Sequence, residues 1–187
     1  CAFLGKKYGL DPYLFCLGNG SSELLEKVCF AFGGKGRKIA YPAPSFSMYE
    51  TYITLSDSTP VPYRLDEEFK VDADAVIKFA KGKPDVLIVN NPNNPTGTYN
   101  ARQMMEKNHP QRRCPLRMDE AYIEFSNGGA DAEENSTLPL VADTDHLLVL
   151  RTCPRPMAWQ ACASALAPGQ GRYENPSQGT PALSLIG

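Results

Sequence analysis

The sequence predicts an α/β domain with a mostly parallel sheet covered by helices on both faces. Three observations carry this. Short apolar runs recur at residues 37–42 (RKIAYP), 85–90 (DVLIVN) and 146–151 (HLLVLR). Stretches with apolar residues at helical spacing lie between them, at 22–32 (SELLEKVCFAF) and 73–80 (ADAVIKFA), each ending near a glycine or a charged turn. No internal repeat interrupts the alternation. A strand buried on both faces reads as a continuous apolar run, and strands alternating with helices pair side by side in parallel.

Composition narrows the function classes. At 187 residues, 42% hydrophobic and 21% charged, the chain suits one ordinary buried core. A net charge of -2 provides no field to gather nucleic acid or anionic lipid, and no apolar run is long enough to span a bilayer. The first residue is Cys1, and the segment to Leu17 lacks the basic-then-apolar layout of a leader, which reads as a truncated cytoplasmic start. Six cysteines, at 1, 16, 29, 114, 153 and 162, form no CxxC pair and have no histidine cluster nearby, so free thiols and no metal site are expected.

Three segments carry chemistry. Gly18-Asn19-Gly20-Ser21-Ser22-Glu23 joins an apolar run to a helix pattern; glycines let the backbone approach an anion, and free N–H groups and hydroxyls at the helix start can donate to it. An ordinary helix cap by Ser21 or Ser22 explains the same residues. Residues 90–97 (NNPNNPTG) directly follow the run DVLIVN, at the carboxyl end of a parallel strand, where open α/β sheets place ligands. Their two asparagine-proline steps can hold one amide side chain toward a ligand; a surface turn accounts for the prolines and the glycine alone. Residues 119–125 (DEAYIEF) put acidic groups at a further strand end. Such groups are commonly solvated or cap the next element, but a partly buried carboxylate there can keep a ring nitrogen protonated.

In this order, GNGSSE, NNPNNPTG and DEAYIEF resemble the large domain of fold-type I aminotransferases, and with Pro44-Ser45-Phe46-Ser47-Met48-Tyr49 the resemblance is closest to the histidinol-phosphate aminotransferases. It covers about residues 3–152, read as a partial large domain (1–152). The resemblance implies pyridoxal 5'-phosphate as cofactor, an amino-acid-like phosphate substrate in histidine biosynthesis, a cytoplasmic location and a homodimer for an intact member. It also implies residue roles. Gly20, Ser21 and Ser22 hold the cofactor phosphate, Phe46 stacks on the pyridine, Asn94 and Tyr122 bond its phenolic oxygen, and Asp119 pairs with its nitrogen. Core packing is the competing explanation for Phe46 and Tyr49.

The pattern then departs from the family. Arg151-Thr152 is followed by Cys153-Pro154-Arg155-Pro156 where the family has Ser-Lys-Ala, so the Schiff-base lysine position is held by Arg155. A guanidinium stays protonated and has no free amine to condense with an aldehyde, so the chain is expected to be inactive. Residues 153–187 are rich in proline, glycine, serine and alanine and read as an aberrant, disordered tail in place of the smaller C-terminal domain. Residues 111–118 (QRRCPLRM), with three arginines and a proline, are poor material for a central strand, and local disorder is expected there.

Both anomalies are explained by shifted reading frames. One thymine restored before the Pro154 codon turns residues 154–165 into Ser-Lys-Ala-X-Gly-Leu-Ala-Gly-Leu-Arg-Leu-Gly for permitted codons, with X limited to His, Tyr, Asn or Asp. The single codons of Met157 and Trp159 force the glycine after X and the alanine after the first leucine. Residues 108–117 behave similarly: shifted one base they can read Ile-Ile-His-Ser-Gly-Val-Val-Pro, and a compensating shift must then restore the frame before Asp119. Two alternatives stay open: a non-catalytic relative that binds a phosphate ligand or a protein, and an aromatic or threonine-phosphate-type enzyme with the same cofactor.

Overall fold

The computed structural model describes residues 1–71, 84–102, 116–129, 132–143 and 147–152, together with the backbone of Cys162–Leu166, Tyr173–Glu174 and Pro181–Ala182. In chain order the elements are α1 (Ala2–Tyr8), β1 (Phe15–Gly18), α2 (Ser21–Phe32), β2 (Lys38–Ala43), α3 (Met48–Leu55), β3 (Thr59–Arg64), β4 (Val86–Asn90), β5 (Leu116–Glu120), α4 (Ala132–Asn135), β6 (Leu147–Thr152), β7 (Cys162–Leu166), β8 (Tyr173–Glu174) and β9 (Pro181–Ala182). Single 3₁₀ segments at Pro12–Leu14, Ile123–Gly129 and Leu138–Asp143 connect them.

Seven strands form one sheet in the order β1-β7-β6-β5-β4-β2-β3. The β2–β3, β2–β4, β4–β5 and β5–β6 pairs are parallel, whereas β7 is antiparallel to both β6 and β1. The fold is therefore the expected α/β arrangement with a mostly parallel sheet. β3 contains Pro60 and Pro62 and pairs only with β2. Prolines two residues apart point their missing donors the same way, toward the open edge, which is where a sheet tolerates them.

Alternate residues of the central strands feed two cores. Leu87 and Val89 of β4, Leu116 and Met118 of β5, and Leu147 and Val149 of β6 share one face with Leu4, Leu138 and Val141. Val86, Ile88, Leu148 and Leu150 share the other with Leu24, Leu25 and Val28 of α2 and Tyr49 and Ile53 of α3. Each such side chain, fully buried, contributes about 1.5–3 kcal/mol. Gly18 allows α2 to pack closely over β1: a Cβ there would meet Leu24 Cδ2 at 2.7 Å.

The expected disorder at 111–118 is overturned for its last three residues. Leu116, Arg117 and Met118 form the start of β5, paired with β4 on one side and β6 on the other. Backbone pairing on both sides outweighs the unfavourable charge, and Arg117 is accommodated: its guanidinium lies 4.0 Å above the Phe32 ring and donates to Leu116 O at 3.1 Å. Residues 111–115, and the helix read at 73–80, lie outside the described residues. Within 153–187 the described residues are strands rather than aperiodic tail. β7 fills the gap between β1 and β6, so its backbone groups find ladder partners on both sides. The rest of that segment, Arg155 included, lies outside the described residues.

Candidate active site

Strand register gathers the three motifs at one edge. Asn90 lies opposite Asp119, Glu120 opposite Arg151, Thr152 opposite Cys162, and Cys162 opposite Gly18. The carboxyl ends of β4, β5, β6 and β1 thus share one edge of the sheet, and the described loops that leave β1, β4 and β5 start there. With strands about 4.8 Å apart, the starts of the first and third motifs are roughly 15 Å from each other.

At the β1 end, Gly20 caps α2 with φ 96° and ψ 161°, a conformation that essentially only glycine adopts. Among the described residues nothing lies within 4 Å of where its Cβ would stand, so they leave the space before the helix open. Ser21 and Ser22 open the helix, half-buried and exposed respectively. Glu23 turns back onto Asn19 N and pairs with Lys27, which closes the turn.

The 90–97 loop is tied to the Pro44-Ser45 segment that follows β2. Ser45 Oγ donates to Asn93 Oδ1 at 2.6 Å, and Asn93 Nδ2 donates to Pro44 O at 3.1 Å and to Thr96 Oγ1 at 2.8 Å. Further along, Asn91 Oδ1 accepts from Asn100 N at 2.8 Å while Asn91 Nδ2 donates to Asn100 O at 3.0 Å. The 90–97 loop is therefore braced at both ends, and half-buried Asn94 stands between the braces. Phe46, after β2, is half-buried with its ring edge-on to Tyr49, 5.6 Å between centroids.

Asp119, next to last in β5, lies on the face covered by α2 and α3. It is buried, and its carboxylate accepts from Tyr49 Oη–H at 2.6 Å and from Ala121 N–H at 3.2 Å. Burial pushes its carboxyl above the ordinary aspartate range, and the two hydrogen bonds oppose that rise. Tyr122 lies in the turn just beyond, exposed, with its ring tilted against Phe125.

Sequence reasoning missed two residues. Tyr49, weighed only against core packing, is core and also the phenol that meets Asp119. Its spacing three residues after Phe46, on a helix start, was the available signal. Glu120 points to the opposite face, fully buried, and accepts from Ser136 Oγ at 2.5 Å, Thr137 N at 2.7 Å and Thr137 Oγ1 at 2.5 Å. Burial raises its carboxyl above the usual range, against those bonds and the attraction of Arg151. Arg151 itself is buried and bonds Glu124 at 2.7 Å and Glu133 at 3.0 Å, holding the segment after Tyr122 to β6.

The chain, whose Gly18–Glu23 turn, asparagine loop and buried carboxylate share one sheet edge, matches the family model of aminotransferase class I and II over residues 2–163. This chain belongs to that family. Among curated aminotransferases, it is 35% identical over 150 residues to the histidinol-phosphate aminotransferase of Thermoanaerobacter pseudethanolicus, covering 80% of this chain and 41% of that protein. It is 37% identical over 153 residues to the histidinol-phosphate aminotransferase of Chlorobium chlorochromatii, covering 80% and 40%. The chain thus spans about two fifths of the length of these aminotransferases. Among solved structures, the histidinol-phosphate aminotransferase of Sinorhizobium meliloti in complex with pyridoxal-5'-phosphate shares the fold, with TM-score 0.78 at 16% identity over 89% of this chain and 46% of that one. The Clostridium acetobutylicum enzyme of the same name gives 0.70 at 24% over 88% and 48%. Among the described residues no helix is long and apolar enough to cross a membrane.

Proposed function

We propose that this chain forms the cofactor face of a pyridoxal-phosphate-dependent aminotransferase of the histidinol-phosphate type, and that Arg155 denies it covalent attachment of the cofactor. The observation that carries the reading is Asp119: a buried carboxylate with no lysine or arginine bonded to it among the described residues, at the carboxyl end of a central strand. A buried acid is costly unless a cation or several donors meet it, and a protonated pyridine nitrogen supplies such a cation. The open N-terminus of α2 behind Gly20 suits the phosphate. The residues present therefore fit the group.

Gly20, Ser21 and Ser22 would hold the phosphate, Phe46 would cover one face of the ring, and Asn94 and Tyr122 would meet its phenolic oxygen. Asp119 would keep the ring nitrogen protonated. When bound, the cofactor supplies an electron sink for the substrate carbon that loses its proton. The relatives' name, histidinol-phosphate aminotransferase, supports an amino-acid-like phosphate substrate and histidine biosynthesis; 2-oxoglutarate as partner, a cytoplasmic homodimer and a division at about residue 152 between the cofactor domain and an aberrant tail belong to the same proposal. A frame error is proposed as the origin of Arg155 because the restored frame reads Ser-Lys-Ala at residues 154–156. Arg155 equally favours a relative that binds a phosphate ligand without transaminating; resequencing the source DNA across residues 153–162 separates the two.

Pyridoxamine 5'-phosphate tests the site because its amine cannot react with surface lysines. It should bind reversibly, compete with inorganic phosphate, and lose about tenfold or more in affinity in Asp119→Asn, the loss of one charge-assisted contact. Binding that Asp119→Asn leaves unchanged would remove the basis of the reading.

A further inference from the structure

Tyr49 and Asp119 lie 70 residues apart in sequence, and the fold brings their oxygens to 2.6 Å in an interior where Tyr49 is 0% and Asp119 6% exposed. Their surroundings are Ile88, Leu148 and Leu150, which a phenylalanine would have suited equally well. A hydroxyl placed there has a cost unless it finds an acceptor, and Asp119 is that acceptor. The dependence runs both ways, because burial disfavours the Asp119 charge and the Tyr49 hydroxyl favours it.

We propose that Tyr49 is the positioning residue of this site: its hydroxyl fixes the Asp119 carboxylate and sustains its charge, so that the chain prefers a ligand with a cationic ring nitrogen over a bare phosphate. The proposal rests on the cofactor reading of the site. Tyr49 comes from α3; behind it, Tyr63 of β3 and the Cys29 thiol of α2 also face the pair. Burial pushes Cys29 up to about 12 and Tyr49 well above the usual phenol range. Tyr49 and Cys29 are therefore neutral at physiological pH, and Asp119 is the group that titrates.

The sign follows from the raised carboxyl. Its stabilising contribution is complete below the ordinary aspartate range and is lost as pH rises through the raised value. Removing the Tyr49 hydroxyl raises that value further.

The test compares the full chain with Tyr49→Phe and Asp119→Asn. Carboxyl titration by carbon-13 NMR on labelled aspartate follows Asp119 directly, and calorimetry follows binding of pyridoxamine 5'-phosphate and of inorganic phosphate. In Tyr49→Phe the Asp119 signal should titrate at higher pH. Affinity for pyridoxamine 5'-phosphate should fall about tenfold, with its acid limb moved to higher pH and phosphate affinity unchanged. A merely structural tyrosine would leave the titration where it was, and that result overturns the proposal. Should pyridoxamine 5'-phosphate bind none of the three proteins, the cofactor reading fails and the ligand preference proposed for Tyr49 falls with it. Binding lost in Asp119→Asn but unaltered in Tyr49→Phe overturns the role of Tyr49 alone.

Discussion

Replacing Glu120 with alanine is expected to lower the unfolding free energy by about 3 kcal/mol and the melting temperature by about 6–12 °C. The carboxylate is fully buried and takes bonds from Thr137 N, Thr137 Oγ1 and Ser136 Oγ, which pin the Leu138–Asp143 turn onto β5. Alanine leaves those donors buried without an acceptor, and each unsatisfied donor costs about 1–3 kcal/mol. Relief of the carboxylate's own burial offsets part of the loss, which is why the total stays well below their sum. Glu120→Gln keeps an acceptor oxygen and a side chain of the same shape, so it should cost about 1 kcal/mol or less. Thermal melts of the two variants check this; equal losses in both would show that the full carboxylate, rather than side-chain shape and one retained acceptor, is what the site requires.

The second large effect concerns the covalent anchor. Treated with pyridoxal 5'-phosphate and then borohydride, the chain is expected to give no stoichiometric adduct on a unique lysine. Arg155→Lys alone should not change that, because Pro154 and Pro156 still flank the position and restrict its backbone. Replacing residues 154–165 together with Ser-Lys-Ala-His-Gly-Leu-Ala-Gly-Leu-Arg-Leu-Gly should give one adduct per chain, at position 155. Intact-mass and peptide-mapping spectrometry read the outcome. An adduct on a single lysine of the unaltered chain, accompanied by turnover, contradicts the assignment.

How far the sequence reached depended on what each strand had to bury. β4 and β6 were legible because they are buried on both faces and therefore read as unbroken apolar runs. β5 was not, because Arg117, Asp119 and Glu120 fill three of its five positions. Each is accommodated by a partner distant in sequence: Phe32 beneath Arg117, Tyr49 beside Asp119, and Ser136 and Thr137 around Glu120. No local pattern announces such partners. β3 escaped notice because Pro60 and Pro62 are at odds with a strand except at a sheet edge, and edge position is a property of topology. β7 carries no apolar run; its place is set by the ladder gap between β1 and β6. The candidate site residues were legible as motifs, since glycine at a positive-φ turn and asparagine-proline steps are local necessities. The phenol of Tyr49 was hidden because its acceptor comes from another motif.

The central claim is that Gly20, Ser21, Ser22 and Asp119 compose one cofactor site, and a crystal structure of the full chain with pyridoxamine 5'-phosphate tests it most directly. The phosphate is expected at the α2 N-terminus and the ring nitrogen within about 3 Å of the Asp119 carboxylate. A ligand seated away from β5, or a ring nitrogen turned from Asp119, would contradict it.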